Sequence, residues 1–251
     1  MVHDQVKATF GIHAEHYVTS EMHAKGQDLE WVKERLALQG TTETVLDIAT
    51  GGGHTARAVS ELAATVIASD VTKDMLAAAR KHLSDRPNIH YVLANAQHLP
   101  FLDETFDAVT CRIAAHHFPN AQRFVEEAVR VLKPGGIFIL IDNVAPENKD
   151  VAHWIDTTET LRDPSHHRCL SIAEWKEYIM RTGLTLQFER AWHKTMAFHP
   201  WVNRTLSDCQ YRVKNPQKRR TKIPHFAVSG AEGRGNTPGL FSSLPCDRNH
   251  L

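Results

Sequence analysis

The stretch VLDIATGGGHTARAV, residues 45–59, narrows most sharply what this chain can fold into. An apolar run ends at Asp47, glycines follow at Gly51, Gly52 and Gly53, and a helical pattern begins at His54. A turn this tight between a buried strand and a helix brings backbone, with almost no side chain, to the carboxyl edge of the strand. In a parallel sheet that edge is the crevice where nucleotide-type ligands sit, and the helix that follows offers unpaired N–H groups to them. An ordinary strand-to-helix turn is the alternative, and three adjacent glycines make it the weaker one.

Short apolar runs alternate with helix-period segments over the next hundred residues. Strands are expected at 44–48, 65–69, 89–93, 108–112 and 137–141, with helices at 54–64, 73–83 and 121–132. Strands that are apolar on both faces and separated by helices indicate an α/β fold: a doubly wound, mostly parallel sheet covered on both sides. The KPGG at 133–136 reads as a helix stop and a tight turn into the fifth strand. Before the first strand, residues 28–38 are strongly amphipathic; after the fifth, helices are expected near 149–161 and 171–181, then a strand in LTLQFERAW.

This order suggests an N-terminal helical lid over 1–40, a main domain over 41–200 and an irregular tail over 201–251. The formal net charge is zero, but the tail holds nine Lys/Arg against three Asp/Glu, so it carries +6 and the body −6. A mildly acidic body disfavours nucleic acid as partner. The basic YRVKNPQKRRTK could meet RNA phosphates, yet it lacks interleaved aromatics beyond Tyr211. Rich in proline and glycine and poor in apolar periodicity, most of 215–251 is expected to be mobile. The competing expectation pairs Phe226, Ala227 and Val228, and residues 240–244, as edge strands closing the substrate side.

No apolar run is long enough to span a membrane, and MVHDQVKATF lacks the basic-then-apolar order of a secretory signal. The four cysteines are scattered without a CxxC pair, which argues against a zinc ribbon or a disulfide framework. A cytoplasmic protein is the expectation.

The ligand class follows from the glycine turn. A phosphate loop needs a lysine after its last glycine, where this chain has His54-Thr55, and no glycine stands three residues after Gly51 to complete GxGxxG. The run Asp47-Ile48-Ala49-Thr50-Gly51-Gly52-Gly53 instead resembles the first motif of class I S-adenosylmethionine (SAM)-dependent methyltransferases, with Ala49 in place of the first glycine. Three further segments resemble the same family: VIASDVTKDML around Asp70, ANAQHLPF at 94–101, and FDAVTCRIAAHHF at 106–118, followed by EEAVRVLKPGGIFILID. The resemblance covers about residues 10 to 195 and lies nearest the small-molecule branch related to quinone-biosynthesis methyltransferases.

That resemblance implies a Rossmann-like fold, SAM as cofactor and a small-molecule methyl acceptor. It implies that Ala49, Gly51 and Gly53 admit the methionine moiety, and that Asp47 acts on its ammonium through water. Asp70 would accept from both ribose hydroxyls with Val71 beside it, Asn95 and Ala96 would meet the adenine, and the backbone near Arg112 would face the ligand. In the N-terminal segment FGIHAEHYVTSEMHAKGQDL, Tyr17 and Lys25 are candidates to cover the cofactor.

Methyl transfer needs alignment and, for some acceptors, removal of one proton, a task suited to histidine. His116 and His117 follow the fourth strand at the ligand edge and are the first candidates; His166 and His167, flanked by Asp163 and Arg168, come second. No metal site is expected, because adjacent histidines point apart and no H-E-x-x-H helix is present. Two other functions fit parts of the pattern: a NAD(P)-binding oxidoreductase, from the shared fold and Asp70, and a SAM-binding protein without catalytic activity, from Ala49, Asn95 and the aberrant tail.

Overall fold

The computed structural model describes residues 26–197 and 220–231, together with positions 6, 10, 18 and 24. The described elements are α1 (Gln27–Ala37), β1 (Thr42–Ile48), α2 (His54–Val59), β2 (Ala63–Asp70), α3 (Lys73–His82), β3 (Ile89–Leu93), β4 (Phe106–Arg112), a short 3-10 turn (Ala115–His117), α4 (Ala121–Arg130), β5 (Leu132–Asn143), α5 (Lys149–Arg162), α6 (Ile172–Arg181), β6 (Thr185–Ala197) and β7 (Arg220–Ala231). They form one seven-stranded sheet in the order β3-β2-β1-β4-β5-β7-β6. The first five strands pair in parallel, and β7 inserts antiparallel between β5 and β6.

Alternation along the strands divides the core between two faces. Leu46, Ile48, Val109, Cys111, Phe138 and Leu140 point to one side, where Phe124 of α4 and Trp175 and Ile179 of α6 cover them. Val45, Val66, Ala108, Ile137, Ile139 and Ile141 point to the other, under Val32 and Leu36 of α1 and Ala56 and Val59 of α2. Both faces are buried, as a parallel sheet requires. Caps fix the helix starts: Asn120 accepts from the Arg123 N–H, Asn148 from those of Asp150 and Val151, and Ser171 with Glu174 forms a complete capping box.

Several expectations change. The second helix ends at Val59 because β2 begins at Ala63, not at residue 65. KPGG is not a turn outside the strand; it lies inside β5 as an irregularity, the register against β4 jumping from Phe106↔Leu132 to Ala108↔Ile137. Within the segment expected as a lid, Val32 and Leu36 of α1 share the second core cluster with the sheet. The tail is not irregular throughout: β7 pairs with β5 from Asn143↔His225 to Ile137↔Ala231 and with β6 from Ala197↔Arg220 to Thr185↔Ala231. Phe226, Ala227 and Val228 therefore lie in an interior strand, with β6 as the edge, while residues 240–244 lie outside the described residues.

Strand order reverses between β1 and β4, so the crevice opens above the carboxyl ends of these two central strands. That is where the glycine turn and the His116-His117 pair converge.

Candidate functional site

The turn after β1 is held from beneath. Asp47 is buried and accepts hydrogen bonds from Thr50 Oγ1 at 2.6 Å and from Thr110 Oγ1 of β4 at 2.8 Å. Burial raises its pKa to about 6 against the effect of those hydroxyls. Above it the backbone takes left-handed conformations at Ala49 (φ 53°) and Gly51 (φ 54°), and at Ile113 (φ 53°) just after β4. For a β-branched residue such as Ile113 this is a strained conformation, and strain of this kind gathers where a fold shapes a ligand site.

Asp70, at the end of β2, binds the turn directly: Oδ2 accepts from the Gly51 N–H at 3.0 Å and Oδ1 from the Thr72 N–H at 2.9 Å. Its carboxylate keeps further lone pairs for a ligand, and burial raises its pKa. A cavity of about 140 Å³ opens here, and Ala49, Gly51, Asp70, Val71, Arg112, His116 and His117 all line it.

Four expected cofactor residues do not line that cavity. Asp47 sits one layer beneath it, engaged with the two threonines. A Cβ at Gly53 (φ 82°) would meet Leu83 Cδ1 at 2.5 Å, so this glycine serves the packing of α2 against the end of α3. Asn95 Oδ1 accepts from the Gln97 N–H at 3.0 Å and shapes its own loop, and Ala96 packs in the first core cluster. Tyr17 and Lys25 lie outside the described residues.

Arg112 makes a buried ion pair, Nε to the Asp28 carboxylate, which ties α1 to the end of β4. Its Nη2 is buried without a hydrogen-bond partner among the described residues. An unpartnered guanidinium N–H on a ligand cavity is a donor waiting for an anion or a carbonyl.

The two histidines are held in defined tautomers. His116 Nδ1 lies 2.6 Å from Asp142 Oδ1 at the end of β5, and a carboxylate only accepts, so Nδ1 carries the proton. His117 Nδ1 lies 3.0 Å from the Ser165 carbonyl oxygen and therefore also carries its proton. In both rings Nε2 is left as the basic nitrogen. Burial opposes charge on His116, but the Asp142 carboxylate more than offsets this and raises its pKa above the ordinary value. Burial, with the neighbouring His116, pushes His117 down to about 3. The rings stand 4.2 Å apart, one stabilised when charged and the other held neutral.

The second histidine pair divides. His166 is buried and binds Asp156 Oδ1 at 2.8 Å, its ring 5.6 Å from that of His116, whereas His167 is exposed. Sequence reasoning missed Asp142, Ser165 and Asp28 as partners. Asp142 had a usable signal, an acid closing the apolar run FILID at a carboxyl edge; the other two had none.

The methyltransferase domain family matches residues 46–140. A methyltransferase of Bacillus subtilis, YcgJ, is 35% identical over 197 residues, 78% of either chain. The chain belongs to the class I SAM-dependent methyltransferases. A ubiquinone/menaquinone biosynthesis C-methyltransferase, UbiE of Desulfotalea psychrophila, is 31% identical and spans 66% of this chain and 68% of its own. Among solved structures, a Bacillus halodurans protein described as a methyltransferase superposes with a TM-score of 0.75 at 34% identity, covering 82% of this methyltransferase and 99% of its own chain. Among its described residues no helix is long and apolar enough to cross a membrane.

Proposed function

We propose that this methyltransferase acts on small hydroxylated acceptors that give up a proton as they are methylated, with the Asp142–His116 pair as the base. The observation that carries this reading is the pinning of His116 Nδ1 by Asp142, which leaves Nε2 as the proton acceptor on a residue lining the cavity. The same cavity presents groups that suit SAM. The Gly51 backbone permits close approach, Asp70 has lone pairs for two ribose hydroxyls, and Arg112 Nη2 is a donor for the methionine carboxylate. Bound there, SAM supplies an electrophilic methyl group on a sulfonium.

The remaining work belongs to the chain. His116 takes the proton, Asp142 stabilises the imidazolium that results, and neutral His117 offers a second acceptor beside it. The relatives named as demethylmenaquinone and ubiquinone/menaquinone biosynthesis methyltransferases support a quinone-related ring as the acceptor class. No feature of the cavity favours a nicotinamide, and the turn lacks the spacing a dinucleotide pyrophosphate needs.

The test pairs calorimetric titration of S-adenosylhomocysteine with turnover on a panel of phenols, quinols and amines. One binding site is expected, with turnover on the proton-bearing acceptors reduced about 10²–10⁴-fold in His116→Ala. Absence of binding to folded protein would remove the cofactor reading. Binding without turnover on any acceptor would favour a non-catalytic SAM protein.

A further inference from the structure

Behind the two cavity histidines lies a cluster that methyl transfer does not use. Asp156 of α5, His166 and Cys169 bring one carboxylate oxygen, one ring nitrogen and the thiol sulfur within 4.8 Å of one another. His166 and Cys169 are buried, and Asp156 is partly exposed, which gives the cluster a way in from solvent. Oxygen, nitrogen and sulfur donors together form the set that borderline-soft divalent ions take, zinc first among them.

Two further observations point the same way. Cys111, the other described cysteine, packs in the first hydrophobic cluster, but Cys169, although equally buried, belongs to none of the clusters among the described residues. It lies instead beside Asp156 and His166. The Cys169 backbone N–H also donates to Asp156 Oδ1 at 2.9 Å, which fixes the carboxylate as outer-shell bonds do for metal ligands.

We propose that Asp156, His166 and Cys169 form a site for a divalent transition-metal ion of the zinc type, which staples α5 to the 163–169 segment. With bonds of about 2.0–2.3 Å, donors around a tetrahedral ion stand roughly 3.3–3.7 Å apart. The His166–Asp156 hydrogen bond of 2.8 Å therefore opens by about half an ångström as the ion enters and His166 Nε2 gives up any proton it shares. The fourth position is left to water. The staple bears on the cavity, since Asp163 lines it and Ser165 holds His117.

Cobalt(II) is the probe, because a thiolate ligand gives it a near-ultraviolet sulfur-to-cobalt charge-transfer band and tetrahedral geometry gives it strong visible bands. Titration of the full-length protein is expected to produce both with one equivalent of Co(II), and added Zn(II) to abolish them. Cys169→Ser should lose the charge-transfer band, while Asp156→Asn and His166→Gln should weaken Co(II) affinity at least tenfold, all three still binding S-adenosylhomocysteine as evidence of folding. No charge-transfer band in the parent protein, or an unchanged band in Cys169→Ser, overturns the proposal. If a variant loses S-adenosylhomocysteine binding, X-ray absorption at the zinc edge of the parent protein decides: one sulfur with nitrogen and oxygen neighbours supports the site, and an all-nitrogen/oxygen shell overturns it.

Discussion

Asp47 and Asp142 are both buried acids at strand ends, yet their surroundings give them opposite work. For Asp47 burial outweighs the two threonine hydroxyls, the Ala56 N–H and the charge of Arg112, and its pKa rises to about 6. A raised acid binds its proton more tightly in the folded than in the unfolded chain. Its contribution to stability is therefore fully present below about pH 3.9 and is lost as pH rises through about 6. Over that window the wild type is expected to lose about 2 kcal/mol relative to Asp47→Asn, measured as the difference between their urea-unfolding free energies at pH 4 and pH 7. A constant difference across that range would show that Asp47 ionises freely. Asp142 faces an imidazole, and there the charges stabilise each other. Because His116 is raised by this partner and acts as a base only when neutral, turnover should fall as pH drops through a value above about 6.5. In Asp142→Asn that inflection should move to lower pH while the maximal rate falls, as read from kcat against pH. An inflection that stays in place would make Asp142 a packing residue only.

At the scale of elements, β7 is where local pattern and tertiary structure part. Its sequence RTKIPHFAVSGA carries charge, a proline and little alternation, all signs of a segment that would not hold a strand alone. What holds it is backbone pairing on both sides, to β5 and to β6. Pro224 lies one residue beyond the last β5 partner, Asn143↔His225, and pairs only with His193 of the edge strand β6. By contrast α6 announces itself: Ser171 and Glu174 make the capping box, and Trp175 and Ile179 recur at helical spacing on the buried face. With β7 paired on both sides, the bonds after Arg220 and Lys222 should resist trypsin under native conditions, while the bonds after the exposed Lys149 and Arg181 serve as internal controls for access. Rapid cleavage after Arg220 or Lys222, mapped by mass spectrometry, would show the strand detached.

For the molecule as a whole, the crevice at the strand-order reversal couples cofactor to stability, since the Asp70–Gly51 bond and the Asp28–Arg112 pair both join separate elements around it. A ligand that binds only the folded chain stabilises it by mass action. S-adenosylhomocysteine at one hundred times its Kd should add about 2.7 kcal/mol, a rise in Tm of roughly 5–10 °C for a chain of this size. Asp70→Ala, weakening cofactor affinity by roughly 2–4 kcal/mol, should abolish most of that rise at the same concentration, and an unchanged rise would place the ribose elsewhere. The parallel sheet, the glycine turn and the place of His116 and His117 at its edge were legible from sequence because each depends on neighbours within a few residues: strand alternation, left-handed backbone, helix caps. Which groups those residues meet was not legible. Asp142 reaches His116 across 26 residues, Ser165 reaches His117 across 48, and Asp28 reaches Arg112 across 84. Those meetings are set by strand order and by which helices cover which face, and no periodicity along the chain encodes a distance between elements that only folding brings together.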